Sequence, residues 1–213
     1  QTVSLADYVS RMPEGQKKIY YLVGTSYQSV KTSPYLELFK KKGIEVLLLW
    51  DRIDEWLMAH LREFEGKGFV SASASDLELG DLADKSEKTE EEAKQSAGLI
   101  DRLKTALAGR VKDVRVSTRL VGTPSCVVAE GGQFLTPQMK HMLEAAGQTV
   151  PEDEYILEVD PENALLKRVA AETDPARFKE WAELIFEQAL LSEQGALKDP
   201  NAFVQRMNRL LAL

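Results

Sequence analysis

Cysteine is almost missing. Cys126 is the one thiol in 213 residues, so no disulfide can close within the chain, and a reducing compartment fits best. Histidine is scarce too, with only His60 and His141, which leaves little material for imidazole-based metal or acid–base sites. No apolar run approaches the ~20 residues that cross a bilayer; VLLLW at 46–50 is among the longest. No secretory leader opens the chain, and a start on Gln1 reads as a fragment or a processed product. An excess of positive charge is also lacking. Lys+Arg 27 against Asp+Glu 34 leaves −7, which argues against a nucleic-acid surface as the main business. A cytoplasmic protein with no membrane partner is the expectation.

What is present is an ordinary globular balance, 44% hydrophobic and 29% charged, enough for one large domain or two small ones. The first eighty residues alternate. YVSRM (8–12) reads as a short helix and KKIYYLVG (17–24) as a strand. Ser33-Pro34 starts a helix that Gly43 ends. IEVLLLW (44–50) is a nearly continuous apolar run, the pattern of a strand covered on both faces. Asp51 caps a helix through RIDEWLMAHLREF, and KGFVSAS adds a third strand. This predicts a small parallel sheet with helices on its faces, a three-layer α/β/α unit over residues 1–88.

Residues 71–97 hold eight acids against three lysines, net −5, and read as a solvated linker where the domain boundary falls. Thr89 and Glu92 make a capping box for a long helix reaching Gly109. The remainder, 89–213, is predicted to be α+β. VKDVRVS (111–117) and SCVVAE (125–130) read as paired strands and EYILEVD (154–160) as a third. Asp160-Pro161, Asp174-Pro175 and Asp199-Pro200 then repeat one start signal, an acidic cap before proline, opening helices at 161–171, 175–192 and 200–212. The last two carry apolar residues round more than half their circumference, too many for one contact face. They predict a helical hairpin that pairs with a second copy into a four-helix bundle, with Trp181, Ile185, Phe203, Met207, Leu210 and Leu211 as the buried seam of a homodimer.

Between Gly131-Gly132 and Gly147 lies FLTPQMKHML (134–143). Thr136-Pro137 starts a helix of about ten residues on which Met139, Met142, Leu143 and Ala146 share one face. A helix that short is not stable by itself in water, and such a stripe ordinarily belongs to a core.

Catalytic and metal constellations are not found. His60 and His141 lie far apart, each on an amphipathic helix, and neither has a second ligand at metal-site spacing. LVGTS (22–26) follows a strand but lacks the further glycines and the Gly-Lys-Ser/Thr ending of a phosphate loop. Asp51, Asp54 and Glu55 complement a helix dipole, and Cys126 sits in a strand as a buried, inert thiol. No catalytic residue, metal or cofactor is expected in this chain.

Several stretches carry a resemblance. DYVSRMPEGQKKIYYLVG, LELFKKKGIEVLLLWDRIDEW, RVKDVRVSTRL and EWAELIFEQALLSEQGALKDPNAFVQRMNRLL resemble the ninety-kilodalton heat-shock chaperone family, its bacterial branch in particular. The resemblance covers essentially the whole chain. It implies that residues 1–88 are the end of the chaperone's middle domain and 89–213 its C-terminal dimerisation domain. The ATP-binding domain, with its Mg, would lie outside these residues. The ending LLAL lacks the acidic pentapeptide of eukaryotic cytosolic members, and with it a docking tail for tetratricopeptide co-chaperones. The resemblance further implies that Phe134, Leu135, Met139, Met142 and Leu143 form an amphipathic helix offered to partly folded clients. Flexible, polarisable methionine suits that role. A second client patch would fall at Glu55 and Trp56, though LMAH after it departs from the polar residue expected there. Trp56 could equally be ordinary packing among Ile53, Leu57 and Leu61. Other chaperones of the bacterial cytoplasm are possible partners. The alternatives are a purely structural dimerisation module and, more remotely, a small α/β enzyme carrying a helical dimer domain.

Overall fold

The computed structural model describes residues 3–77, 79, 88–130, 135, 137–150 and 153–212, with side chains for all of these except 88–95 and 137–138. Internal contacts group the chain into two units, Gln1–Lys85 with Gly131–Glu152, and Ser86–Glu130 with Asp153–Leu213.

In the first unit, Ser4 opens α1 (Leu5–Ser10) with a reciprocal capping box: its hydroxyl accepts from the Asp7 N–H, and the Asp7 carboxylate accepts from the Ser4 N–H. Buried Tyr8 then ties this helix to β1 (Lys18–Val23). Its hydroxyl donates to the Glu45 carbonyl at 2.7 Å and accepts from Gln16 Nε2 at 3.0 Å and the Tyr20 N–H at 3.1 Å. Next comes α2 (Tyr27–Lys31), a helix the sequence reading omits. A 3-10 turn at Pro34–Leu36 leads into α3 (Glu37–Lys42), which Gly43 ends in the left-handed region as expected. β2 (Leu47–Leu49), α4 (Asp54–His60), β3 (Glu63–Phe64) and β4 (Lys67–Ser71) complete the sheet. Strand order is β2-β1-β4-β3, with β1 parallel to both β2 and β4. The core is Ile19, Tyr20, Leu22, Val30, Tyr35, Leu36, Phe39 and Ile44.

Three expectations are corrected here. The apolar run at 47–49 is an edge strand and only half-buried, not covered on both faces. The helix after Asp51 stops at His60, because Glu65 and Gly66 both take positive φ and turn β3 back antiparallel onto β4. The sheet is therefore mixed. Asp51 does not cap that helix either; its own N–H donates to the Asp54 carboxylate at 2.8 Å.

In the second unit, α5 (Lys88–Ala106) precedes β5 (Asp113–Val116) and β6 (Ser125–Ala129). The proposed Thr89/Glu92 box lies outside the described side chains, as does most of the acidic stretch before it. The chain then leaves the sheet for the segment carrying α6 (Pro137–Ala145) and returns as β7 (Tyr155–Val159). α7 (Ala164–Ala170), α8 (Pro175–Gln194) and α9 (Pro200–Leu211) follow.

β5 and β6 are not paired with each other. β7 inserts between them, parallel to β5 and antiparallel to β6. Its Ile156, Leu157 and Val159 are buried, and the edge strand β6 is buried at all five positions. Asp174 and Asp199 cap α8 and α9 as expected, accepting from the Ala176 and Ala202 N–H groups at 3.0 Å. Asp160-Pro161 instead forms a turn, and Asn163 caps α7 by accepting from Leu165 at 2.9 Å.

Glu158 is almost wholly buried on β7, 2% exposed, and so is Arg119. The Arg119 Nε donates to its carboxylate at 2.9 Å, Arg115 at 2.7 Å and the Ser117 hydroxyl at 3.1 Å. Ser117 in turn accepts from the Arg119 and Leu120 N–H groups. One carboxylate thus organises the turn after β5.

Tyr155 ends the same strand against Phe186, donating to Asp153 at 2.9 Å and accepting from Gln194 at 2.6 Å. Burial, with Asp153 beside it, pushes its phenol up to about 12 from an ordinary 10.0. The unfolded phenol ionises first, so its contribution is whole below pH 10 and is lost as pH rises through 12. Melting temperature followed from pH 9 to 12 should fall more steeply for the wild type than for Tyr155→Phe. Parallel curves would mean the phenol ionises freely in the folded chain.

Candidate functional site

α6 ends in a Schellman motif: the Gln148 N–H reaches the Leu143 carbonyl at 3.0 Å and the Gly147 N–H reaches Glu144 at 2.9 Å. Gly147 is the residue that takes the required positive φ. On this helix Met142 is 52% exposed, while Met139, Leu143 and the preceding Leu135 are half-buried. Phe134 and the Thr136 cap lie outside the described residues.

α4 is inverted. Its one buried carboxylate, Glu55, is 7% exposed, whereas Trp56 is 56% and Ile53 is 65% exposed, with Leu57 beside them. Positions 53, 56 and 57 fall on one helical face; only Met58 joins Glu55 inside. Within this chain Trp56 is therefore not a core side chain. Its carbonyl lies 2.8 Å from His60 Nδ1, and the two rings stand 4.5 Å apart. The sequence reading missed Tyr27 and Trp50, both exposed with ring centroids 5.0 Å apart. The signal available was a tryptophan closing an apolar strand run, where a turn residue is usual.

On the hairpin, Trp181, Ile185 and Leu210 are buried by this chain alone, Trp181 with the Arg168 guanidinium 5.8 Å above its ring. Phe203 and Met207 are half-buried and Leu211 is 62% exposed. At 100° per residue, Phe203, Met207, Leu211 and Val204 share one face of α9, while Arg206, Arg209 and Leu210 share another. The second face meets α8: Arg209 donates to Glu180 at 2.6 Å, and Arg206 pairs with Glu187. The first is apolar, with Val204 and Leu211 exposed and Phe203 and Met207 half-buried.

Cys126 is buried, and burial with Glu158 alongside pushes its thiol well up, so it stays protonated. Among the described residues, no group of three or more His, Cys, Asp or Glu could hold a metal ion, and no helix is long and apolar enough to cross a membrane.

Comparison with known proteins places these surfaces in context. The profile described as Hsp90 protein matches residues 1–213. The chain belongs to the Hsp90 family. Among its relatives are the proteins named chaperone protein HtpG from Actinobacillus succinogenes, 53% identical over 214 residues, and from Pectobacterium atrosepticum, 54% identical over 213 residues; each alignment covers 100% of this chain and 34% of the relative. The HtpG of Yersinia pestis is 53% identical over 212 residues, 99% of this chain and 34% of its own length. This Hsp90-family chain therefore spans about a third of the curated relatives it matches.

Proposed function

We propose that this Hsp90-family chain is the dimerising and client-binding portion of an ATP-dependent molecular chaperone. Residues 1–88 would serve as the end of its middle domain, a three-layer α/β/α unit, and 89–213 as its dimerisation domain. The observation that carries the reading is the exposure of apolar side chains on three helices: Ile53, Trp56 and Leu57 at α4, Met142 on α6, and Val204 and Leu211 on α9. Contiguous exposed apolar surface on a soluble protein marks interaction sites. The outward face of α9, through Phe203, Met207 and Leu211, meets its symmetry mate in a four-helix bundle. Trp181, Ile185 and Leu210 support that seam from beneath. The Met142 face of α6 and Trp56 on α4, with Glu55 buried beside it, hold partly folded proteins. ATP and Mg are assigned to a region outside these residues, and the protein is assigned to the bacterial cytoplasm, where other chaperones are candidate partners.

The test is the triple variant Met139→Ser, Met142→Ser, Leu143→Ser. A buried large-to-small change costs about 2–5 kcal/mol each; on an exposed face the melting temperature should barely move while suppression of client aggregation falls. A large drop in melting temperature would return these residues to the core. Unchanged aggregation suppression would leave a structural dimerisation module.

A further inference from the structure

We infer that the cavity between α5 and the start of α8 is a small-molecule site for a planar aromatic carboxylate, with the Arg102 guanidinium as its stacking surface and Lys179 as its counter-charge. The inference uses none of the apolar faces assigned to clients or to the second copy, and it stands or falls apart from those readings.

The cavity has a volume of about 740 Å³, inside the roughly 300–1,000 Å³ typical of small-molecule sites. Helical spacing builds its walls. Arg102 and Ala106 stand four residues apart on α5, and Pro175, Phe178 and Lys179 share one side of α8 at i, i+3 and i+4. Ala170, at the end of α7, adds to the lining. Ala106, Ala170, Pro175 and Phe178 make the body of the cavity apolar.

Arg102 sets the chemistry. Its guanidinium stands 3.8 Å over the Phe178 ring, and Phe178 is only 4% exposed. Its N–H groups donate to the Ala170 carbonyl at 2.9 Å and to the Glu172 carbonyl, at and just beyond the end of α7. One ring and two carbonyls thus fix the guanidinium plane before any ligand arrives, so little ordering is left to binding. A guanidinium stacks on aromatic rings through its flat faces. Phe178 takes one face, and the other is left to the cavity that Arg102 lines.

Four charged residues line the cavity: Asp101, Arg102, Glu172 and Lys179. Glu172 is already engaged, accepting from the Thr173 and Asp174 N–H groups at 3.0 and 3.1 Å and pairing with Arg177 at 3.3 Å. Neighbouring Asp174 caps α8. The Arg102 charge meets only neutral carbonyls and a ring, and among the described residues neither Lys179 nor exposed Asp101 has an ion-pair partner. Two unpaired cations against one unpaired carboxylate favour an anion, and the flat face of Arg102 favours an aromatic one.

The experiment is calorimetric titration of the full chain with naphthoate. Naphthylmethylamine is the cationic control and cyclohexanecarboxylate the non-aromatic acid. Naphthoate should bind once per chain and about fivefold more tightly than either control. Lys179→Ala should weaken it about threefold and Asp101→Asn tighten it about twofold, the scale of exposed charge pairs, at unchanged melting temperature. Arg102→Lys keeps the charge but loses the flat face, and should weaken naphthoate about tenfold. Arg102 also supports the end of α7, so if that variant melts early the two exposed variants decide the matter. Absence of saturable binding at millimolar naphthoate would overturn the site. Binding that neither Lys179→Ala nor Asp101→Asn alters would place the acid elsewhere on the chain and overturn it too. Equal affinity for the amine would sink the charge argument, and equal affinity for cyclohexanecarboxylate the stacking role of Arg102.

Discussion

Glu158→Gln is expected to remove about 3–5 kcal/mol from the second unit, the usual result of deleting one member of a buried ion pair. The change keeps the shape of the side chain and removes only its charge. Arg119, as buried as Glu158 itself, would then hold a guanidinium with no counter-charge at 2.9 Å. Arg115 has a more exposed side chain and can swing toward water; Arg119 has no such exit. Since whole domains are stable by only about 5–15 kcal/mol, the variant should lose much of its unit near physiological temperature. Urea titration followed by circular dichroism measures this. Adding Arg119→Met to Glu158→Gln should restore a large part of the loss, because the buried charge leaves with its partner. A single-variant loss below ~1 kcal/mol would mean that water reaches Arg119.

Met207→Asp is expected to give a monomer at micromolar concentration with both units folded. Met207 is only half-buried within one chain and shares its face with exposed Leu211, so the carboxylate tolerates the isolated protomer. In the proposed two-fold seam the same change would place two unpaired charges where water is excluded, among the costliest substitutions available. Trp181→Ala provides the contrast. That ring lies within the chain's own core, so truncation should lower stability by about 3–5 kcal/mol. Equilibrium sedimentation with thermal melts separates the two effects. A Met207→Asp dimer of unchanged affinity would move the subunit contact away from α9.

Local chemistry was legible in the sequence wherever neighbours along the chain decide the outcome. Asp174-Pro175 and Asp199-Pro200 start helices because cap, proline and first free N–H lie within three residues. The same dipeptide at 160–161 fails because Asn163 supplies a competing cap two residues later. Pairing of β5 with β6 was misread for a different reason: the strand that separates them comes later in the chain, and periodicity carries no information about partners. α4 resisted reading most. An apolar face at i, i+3, i+4 ordinarily points inward, and no feature of RIDEWLMAH announces that Glu55 goes inside while Ile53 and Trp56 remain in water. The buried ion pair was equally hidden, since Arg119 and Glu158 stand far apart in sequence and look like surface charges singly.

The base of the α6 excursion has a consequence for how this family can vary. β6 and β7 are partners in one antiparallel ladder, closed at Ala129 opposite Tyr155, with the Glu130 N–H reaching the Glu154 carbonyl at 3.3 Å. Lys112 gathers both flanking carboxylates, Glu130 and, at 3.3 Å, Glu154. The two ends of the excursion are thus fastened by atoms that do not belong to it. Doubling the length of such a loop raises its closure entropy by only about 0.6 kcal/mol, so insertions, deletions and new helices between residues 131 and 153 leave the ladder little disturbed. The arrangement behaves as an exchangeable cassette, in which the inserted segment can be rewritten by mutation while the strands that carry it keep their register.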